Sequence, residues 1–206
     1  MNHELLDNNK VFLQGRVASE PVYSHEVFDE GFYNLNLAIG RLSGQEDIIP
    51  ITISERLVSN HAIKLNDNIA LKGQFRSYNK LEDGKSKLVL TVFVRELCEL
   101  DQNANPNTIE IYGYICKEPI YRTTPFNREI TDMLMAVNRS YNKSDYIPCI
   151  TWGRNARYVG EMSVGTKLEI VGRIQSRDYV KKLEGVDEPL KKTAYEISVS
   201  KVTVCE

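Results

Sequence analysis

Two segments of the chain alternate apolar residues with cations and aromatic rings, and these side chains have the spacing best suited to chemistry. The polar and aromatic set comprises Lys72, Gln74, Arg76 and Tyr78 in the first segment, and Lys167, Glu169, Arg173, Gln175, Arg177 and Tyr179 in the second. Because successive side chains of a strand point to opposite faces, each set lies together on the face away from the core. Such a face suits non-covalent contact with an anionic partner.

The chain carries no arrangement typical of catalysis or of metal binding. His3, His25 and His61 have no serine, cysteine or carboxylate motif beside them, and no glycine-rich phosphate loop is present. The four cysteines stand singly, without a Cys-x-x-Cys pair: Cys98, Cys116, Cys149 and Cys205. A zinc site needs closer ligand spacing than this. We therefore predict no enzyme activity, no catalytic residue, no metal ion and no cofactor.

An internal repeat relates the two halves of the chain, with a shift of 98 residues and no gap up to Pro148. The landmarks that coincide are Gly15 with Gly113, Glu20-Pro21 with Glu118-Pro119, Arg41 with Arg139, Asp47 with Asp145, and Pro50 with Pro148. A repeat of this length indicates two copies of a whole domain, since solenoid units have roughly 20 to 50 residues. We predict an N-terminal domain of residues 1–100, a linker of residues 101–106 and a C-terminal domain of residues 107–206.

Charge divides unequally between the two halves, although the net charge of the chain is only −2. Residues 1–106 hold 11 Lys and Arg against 15 Asp and Glu, a balance of −4, while residues 107–206 hold 15 against 13, a balance of +2. The second half is therefore better suited to a polyanion. No apolar run approaches the roughly 18 residues that cross a membrane, and the N-terminus lacks a signal-peptide pattern, so we predict a soluble, cytoplasmic protein without membrane contact.

The periodicity predicts the same order of elements in each half: three strands, a short helix and two strands. The predicted strands cover residues 11–17, 33–41, 48–53, 69–78 and 87–94, then 109–115, 132–139, 146–152, 168–179 and 193–204, with helices in 54–62 and 153–162. This is the order of the OB-fold, a partly open barrel that binds oligonucleotides or oligosaccharides. We predict an all-β protein of two tandem five-stranded OB-fold barrels, each with one short helix between strands 3 and 4.

Several motifs of the second repeat belong together in a known family. They are Gly113, Glu118-Pro119 and the runs 133–139 (Met-Leu-Met-Ala-Val-Asn-Arg), 146–156 (Tyr-Ile-Pro-Cys-Ile-Thr-Trp-Gly-Arg-Asn-Ala) and 164–179. On these residues the second repeat resembles the bacterial single-stranded DNA-binding proteins, over nearly all of 107–204. The run 164–179 is similar to the family signature Gly-x-x-hydrophobic-x-hydrophobic-x-Gly-Arg-hydrophobic-x-x-Arg-x-aromatic. Residues 9–98 resemble the family more weakly.

The resemblance implies a set of DNA-binding residues. Tyr146, Trp152 and Tyr179 match stacking aromatics of the family, although a ring at position 152 could instead cap the core. Arg173 and Arg177 should share one face with Tyr179. The phosphate candidates of the second repeat are Arg122, Arg128, Arg139, Lys143 and Arg154, with Lys181, Lys182, Lys191 and Lys192 on the last hairpin. Stacking suits unpaired strands because every base presents a π-face.

The first repeat departs from this pattern. Ile48 stands where the second repeat has Tyr146, and Ser54 stands where it has Trp152. The first repeat keeps other rings and one cation of interest, namely Phe12, Tyr23, Phe28, Phe32, Arg76 and Tyr78. Two readings remain open: weak binding through this other set of rings, or a structural role for the first barrel.

The resemblance also implies partners and assembly. The expected partner is single-stranded DNA, coated during replication, recombination or repair in the nucleoid, and a homodimer would supply the four OB-folds common in the family. The family usually carries an acidic tail that recruits repair enzymes, whereas this sequence stops at 202–206 directly after the last predicted strand. We therefore expect no recruitment by that route.

A second class of function remains open, an OB-fold protein-interaction module comparable to a primosome adaptor, with weak or no DNA binding. The near-neutral charge and the missing aromatics of the first repeat favour this module. The aromatic and arginine positions of the second repeat favour DNA binding.

Overall fold

The alternating sequence forms eleven strands and two short helices in the residues described by the structure, a computed structural model covering residues 7–82, 84–181 and 190–205. The elements of the first repeat are β1 (Asn9–Val17), β2 (Val22–Val27), β3 (Glu30–Gly40), β4 (Glu46–Ser54), α1 (Glu55–His61), β5 (Asn68–Glu82) and β6 (Lys85–Cys98). Those of the second are β7 (Asn107–Thr123), β8 (Glu129–Arg139), β9 (Lys143–Trp152), α2 (Gly153–Gly160), β10 (Lys167–Lys181) and β11 (Leu190–Val204). Neither helix is long and apolar enough to cross a membrane.

The strands of each repeat close into a ring by equivalent pairings. The first ring runs β1-β5-β6-β4-β3 and returns to β1, and the second runs β7-β10-β11-β9-β8 and returns to β7. All ring pairings are antiparallel except β4 with β6 and β9 with β11, which are parallel. The chain is therefore mainly β-structure. Along the chain, α1 lies between β4 and β5, and α2 lies between β9 and β10.

The shared Glu-Pro dipeptide disturbs strand pairing in both repeats, but with different results. In the first repeat the chain leaves the strand after Val17, and β2 then pairs with β3 outside the ring. In the second repeat β7 continues through Pro119, and its register with β8 shifts on both sides of Lys117. Proline cannot donate to a ladder, which explains both disturbances. The first repeat consequently has six strands where five were predicted.

The glycine in the first strand of each ring allows the next strand of that ring along the chain, β3 or β8, to approach closely. A Cβ atom at Gly15 would lie 2.3 Å from the carbonyl oxygen of Ala38, and one at Gly113 would lie 2.5 Å from that of Ala136. No side chain fits at these distances. The sequence argument that this glycine lets a strand bend and close a barrel therefore has a specific steric cause.

Two rings are joined edge to edge by their first strands. β1 pairs antiparallel with β7, with Val11 opposite Ile109 at the centre of the register. Both side chains are buried, and buried residues from both rings form one continuous hydrophobic cluster. Helix α1 buries no residue, whereas α2 buries Ala156 and Val159.

Candidate nucleic-acid interface

The three predicted stacking aromatics of the second repeat all contact solvent. Tyr146 is 46% exposed, Trp152 is 37% exposed and Tyr179 is 38% exposed. Trp152 ends β9 as the residue before α2, and its Nε1 donates a hydrogen bond of 3.2 Å to the Oγ of Ser198. Its indole is thus oriented by a partner while more than a third of it stays exposed.

Strand β10 carries the other predicted residues of this surface. It pairs with β11 from Gly172 to Lys181 without a register shift. The alternation therefore places Arg173, Arg177 and Tyr179 on one face. The Nε of Arg177 lies 3.6 Å from a carboxylate oxygen of Glu196, so this cation has an acidic neighbour on the same surface.

Arg173 belongs to a polar cluster that joins the second ring to the first. It donates from Nη1 to the buried carboxylate of Asp47 at 2.8 Å, and Arg41 donates to the same carboxylate from Nε at 2.8 Å. The backbone N–H of Ser176 also donates to Asp47, at 2.7 Å, and the Ser176 hydroxyl accepts from the N–H of Ile48 at 3.0 Å. Asp47 is 1% exposed.

A second cluster repeats this arrangement with the rings exchanged. The N–H of Ser77 donates to Asp145 at 2.8 Å, the Ser77 hydroxyl accepts from the N–H of Tyr146 at 2.7 Å, and Arg139 donates to Asp145 at 3.2 Å. Burial raises the pKa of the Asp145 carboxyl. Together the clusters form what we call the inter-ring clasp: Arg41, Asp47, Arg173 and Ser176, with Ser77, Arg139 and Asp145. Two predicted DNA-binding residues, Arg139 and Arg173, are thus ion-paired within the chain.

Arg76 and Tyr78 of the first repeat lie in a cleft that also receives Arg139. The Arg76 guanidinium lies 4.0 Å from the ring centroid of Phe93 and donates from Nη2 to the Oε1 of Gln74 at 2.9 Å. Burial, helped by the positive charge of Arg139, lowers the pKa of Arg76 to about 10. Arg76 therefore remains protonated at neutral pH.

Aromatic rings continue from Phe93 along this cleft. Phe32 and Phe93 have ring centroids 5.5 Å apart, and His25 stacks on Phe32 at 5.2 Å with an interplanar angle of 15°. Tyr23 lies at the same cleft and meets the edge of Tyr33 at 5.8 Å. Sequence reasoning singled out Phe32 and Tyr23 but missed His25 and Phe93. The signal for Phe93 was its outward position between two buried valines.

The remaining predicted cations occupy separate surfaces. Lys143 lines a cavity of about 410 Å³ together with Arg76, Arg95 and Arg139. Arg122 forms an exposed ion pair of 2.6 Å with Asp132. Arg128, Arg154 and Lys191 are exposed and Lys192 is half-buried. Lys181 is the last residue of β10 before the described residues stop, and Lys182 lies outside them.

The positions at which the first repeat lost its aromatics have structural roles. The Ser54 hydroxyl accepts a hydrogen bond from the N–H of Leu57 and so caps the N-terminus of α1. Ile48 is half-buried and its N–H belongs to the inter-ring clasp. Within the described ranges, no group of three or more His, Cys, Asp or Glu side chains could hold a metal ion.

The fold of almost the whole chain is that of known proteins. The wild-type single-stranded DNA binding protein from Thermus aquaticus superposes with a TM-score of 0.74, 18% identity and coverage of 96% of this chain and 93% of that one. A deletion mutant of that protein gives a TM-score of 0.72 at 19% identity. This likeness establishes a shared fold.

Sequence comparisons match the second repeat. The model of the single-strand binding protein family matches residues 106–205. Single-stranded DNA-binding protein 1 of Staphylococcus aureus is 34% identical over 35% of this chain and 48% of its own length. Single-stranded DNA-binding protein A of Bacillus subtilis is 31% identical over 35% of this chain and 46% of its own length. The chain spans about half the length of these relatives. Residues 106–205, the second repeat, are thus similar to the single-strand binding protein family.

Proposed function

We propose that this protein binds single-stranded DNA without reading its sequence and thereby protects exposed strands during replication, recombination or repair. The observation that carries the proposal is the coincidence of the family match at residues 106–205 with the exposed aromatics Tyr146, Trp152 and Tyr179. Binding is non-covalent and uses no cofactor.

Stacking supplies most of the attraction in this proposal. A base stacked on an aromatic side chain contributes about 1 to 3 kcal/mol and any base can do so. Exposed cations such as Lys143, Arg154 and Arg128 follow the phosphates, and each phosphate contacted adds about −0.7 to the slope of log K against log salt concentration. Arg177 joins them when DNA displaces its contact with Glu196.

The architecture suits this task. We propose that each ring is an OB-fold barrel, residues 1–100 and 107–206, joined by residues 101–106. The backbone N–H of Asp101 donates to the Oε1 of Gln14 at 2.9 Å, and the Nε2 of Gln14 donates to the backbone carbonyl of Asp101 at 3.3 Å, which holds the linker against β1. A homodimer would provide four barrels, and the cell compartment would be the nucleoid-containing cytoplasm.

A protein-interaction module is the second candidate, and one observation favours it. Arg139 and Arg173 are ion-paired with Asp145 and Asp47, so less positive charge is available for phosphates than the sequence suggests. In that case the exposed aromatics would contact a protein partner.

A titration with labelled oligo-dT separates the candidates. Trp152 is the only tryptophan, so its emission reports directly on the second repeat. We expect quenching of Trp152 together with a salt-sensitive rise in strand anisotropy, and similar affinity for a mixed-sequence strand. Titration of free tryptophan with the same strand controls for inner-filter loss of emission, because free tryptophan emits in the same range and has no binding site for the strand. No anisotropy change even at low salt would refute DNA binding and favour the protein-interaction module.

A further inference from the structure

The cleft of the first repeat differs in charge from the repeat that contains it. We call this cleft the β2–β5 cleft, because residues of β2 and β5 line it; its volume is about 780 Å³. The charged residues that line it in the described part of the chain are Arg76, Lys80 and Arg139, and neither aspartate nor glutamate is among the lining residues. The balance of −4 for residues 1–106 is therefore not reflected in the residues that line this cleft.

The floor of the β2–β5 cleft is neutral and hydrogen-bonded. The hydroxyl of Thr52 donates to the Oδ1 of Asn34 at 2.9 Å and shares a second hydrogen bond of 2.9 Å with the hydroxyl of Thr91. These groups carry no charge that would repel a phosphate backbone.

Equivalent positions in the second ring are acidic. Asp132 occupies the place of Asn34, since the shift of 98 residues relates the two residues and also relates their strand partners, Thr52 and Ile150. Glu196 occupies the place of Thr91. Glu196 pairs with Gln175, the residue before Ser176 of the clasp, and Thr91 pairs with Arg76, the residue before Ser77 of the clasp. The cleft of the first ring thus suits a polyanion better than its counterpart does.

The aromatic side chains in the β2–β5 cleft contact one another in sequence along the cleft and are not packed into the core. His25 stacks on Phe32, Phe32 lies against Phe93, and Arg76 covers Phe93. His25 is exposed and both phenylalanines are half-buried, so ring surface remains accessible. Tyr78, 46% exposed, lies at the same cleft. Flat rings beside guanidinium groups are the combination that holds unpaired bases with their phosphates.

A second cavity extends the path toward the other ring. Arg76, Arg139 and Val27 line both the β2–β5 cleft and the neighbouring cavity that contains Arg95 and Lys143. A DNA strand leaving the first ring would therefore meet cations from both rings, including Lys143 at the start of β9.

We propose that the β2–β5 cleft is a second binding site for unpaired bases, in which the exposed His25 and Tyr78, backed by Phe32 and Phe93, stack on bases while Arg76 neutralises a phosphate. This inference rests on the proposed DNA binding and extends it to the repeat that has lost the family aromatics. The cationic lining together with exposed aromatic surface commits the site to a single-stranded polyanion that carries flat bases, since an acidic peptide would use the charge but not the aromatic faces.

Two sets of variants test the site. The cleft variant combines His25→Ala with Tyr78→Ala, both exposed positions whose truncation leaves the core intact. The second-ring variant is Trp152→Ala with Tyr179→Ala. The control is Tyr158→Ala, a ring on α2 that is 52% exposed and lines neither cavity. Thermal unfolding verifies that each variant is folded.

Affinity is measured by anisotropy with oligo-dT strands of about 8 and about 40 nucleotides, since one OB-fold covers roughly 4 to 16 nucleotides. We expect the cleft variant to bind the longer strand about 5- to 140-fold more weakly for each stacking ring lost. Quenching of Trp152 should persist at saturation, and Tyr158→Ala should bind as the unmodified protein does.

The possible outcomes separate the inference from the proposed function. Unchanged affinity of the cleft variant, with loss in the second-ring variant, would overturn the second site and leave DNA binding intact. Loss in the cleft variant alone would support the site and contradict the assignment of the second ring. No binding by the unmodified protein would overturn both.

Photocrosslinking provides a test that is independent of mutation. A strand substituted with 5-iodouracil is irradiated with the unmodified protein, and the adducts are mapped by mass spectrometry. Adducts at Tyr78, His25 or Phe93 would support the site. Adducts confined to residues 107–205 would overturn it.

Discussion

Replacement of Asp47 by alanine should destabilise the protein far more than loss of an ordinary surface carboxylate. Asp47 is 1% exposed and accepts hydrogen bonds from the guanidinium groups of Arg41 and Arg173 and from the N–H of Ser176. The substitution would leave two cations without their counter-ion and one N–H without its acceptor.

The magnitude follows from the burial of the partners. Removing one member of a buried ion pair costs about 3 to 5 kcal/mol. The Arg41 and Arg173 side chains are 23% and 37% exposed, so water can solvate part of each cation after the change. We therefore expect a loss near the lower end, about 3 kcal/mol of unfolding free energy. Asp47→Asn keeps one acceptor oxygen and should cost less, about 1 to 2 kcal/mol.

Urea unfolding at pH 7 measures these losses. Asp132→Ala is the matched control, because Asp132 forms an ion pair of 2.6 Å with Arg122 in which the two side chains are 38% and 47% exposed. Exposed pairs contribute about 0 to 1 kcal/mol. If Asp47→Ala cost no more than Asp132→Ala, the buried cluster would not be what holds the two rings together, and the argument would fail.

Three further predictions concern packing, charge and pH. Gly113→Ala should destabilise by about 1 to 3 kcal/mol in urea unfolding because its Cβ would press on a carbonyl oxygen, whereas Gly40→Ala, with open space at its Cβ, should change stability by less than about 0.5 kcal/mol. Lys143→Ala should reduce the salt slope of DNA binding by about 0.7, measured by anisotropy at several salt concentrations, and an unchanged slope would exclude a phosphate contact. Hydrogen bonds from Arg157 and Tyr121 lower the pKa of Glu129 from 4.5 to about 2, so the stability that this carboxylate contributes is present above pH 4.5 and is lost as pH falls toward 2; Glu129→Gln should lose less stability across that interval in acid unfolding, and a profile like that of the unmodified protein would contradict the assignment.

Local pattern accounts for the part of the fold that sequence could predict. Alternation in residues such as Val11 and Leu13 identified the strands, and the landmark pairs identified the repeat. The joining of the rings was beyond that reasoning, because the contact of Ser176 with Asp47 spans 129 residues and neither residue type is unusual in a loop or strand. A sign was present nonetheless, since Asp47 and Asp145 occupy the same place in the repeat.

Sequence could propose site residues where the chain follows the family pattern and not where it departs from it. Exposure of Trp152 and Tyr146 agrees with a surface role, but ion pairs of Arg139 and Arg173 depend on carboxylates from other strands. Likewise the charge balance of the first half gave no hint of a cleft without carboxylates, because a sum over residues does not show which face each charge occupies.

Loss of an aromatic at one position is weak evidence that a barrel has lost its ligand. A cleft between strands can be reached from several of them, and the first ring places Phe93 on its last strand where the second ring has Ser198, the hydroxyl that holds Trp152. The aromatic side chains of Trp152 and Phe93 thus lie in the same region of their respective barrels but come from different strands. An alignment shows only that the first repeat lacks an aromatic at the position of Trp152. The structure shows that Phe93, on another strand, takes the place of that aromatic. Binding by the first repeat should therefore be judged from the β2–β5 cleft and not from Ile48 and Ser54.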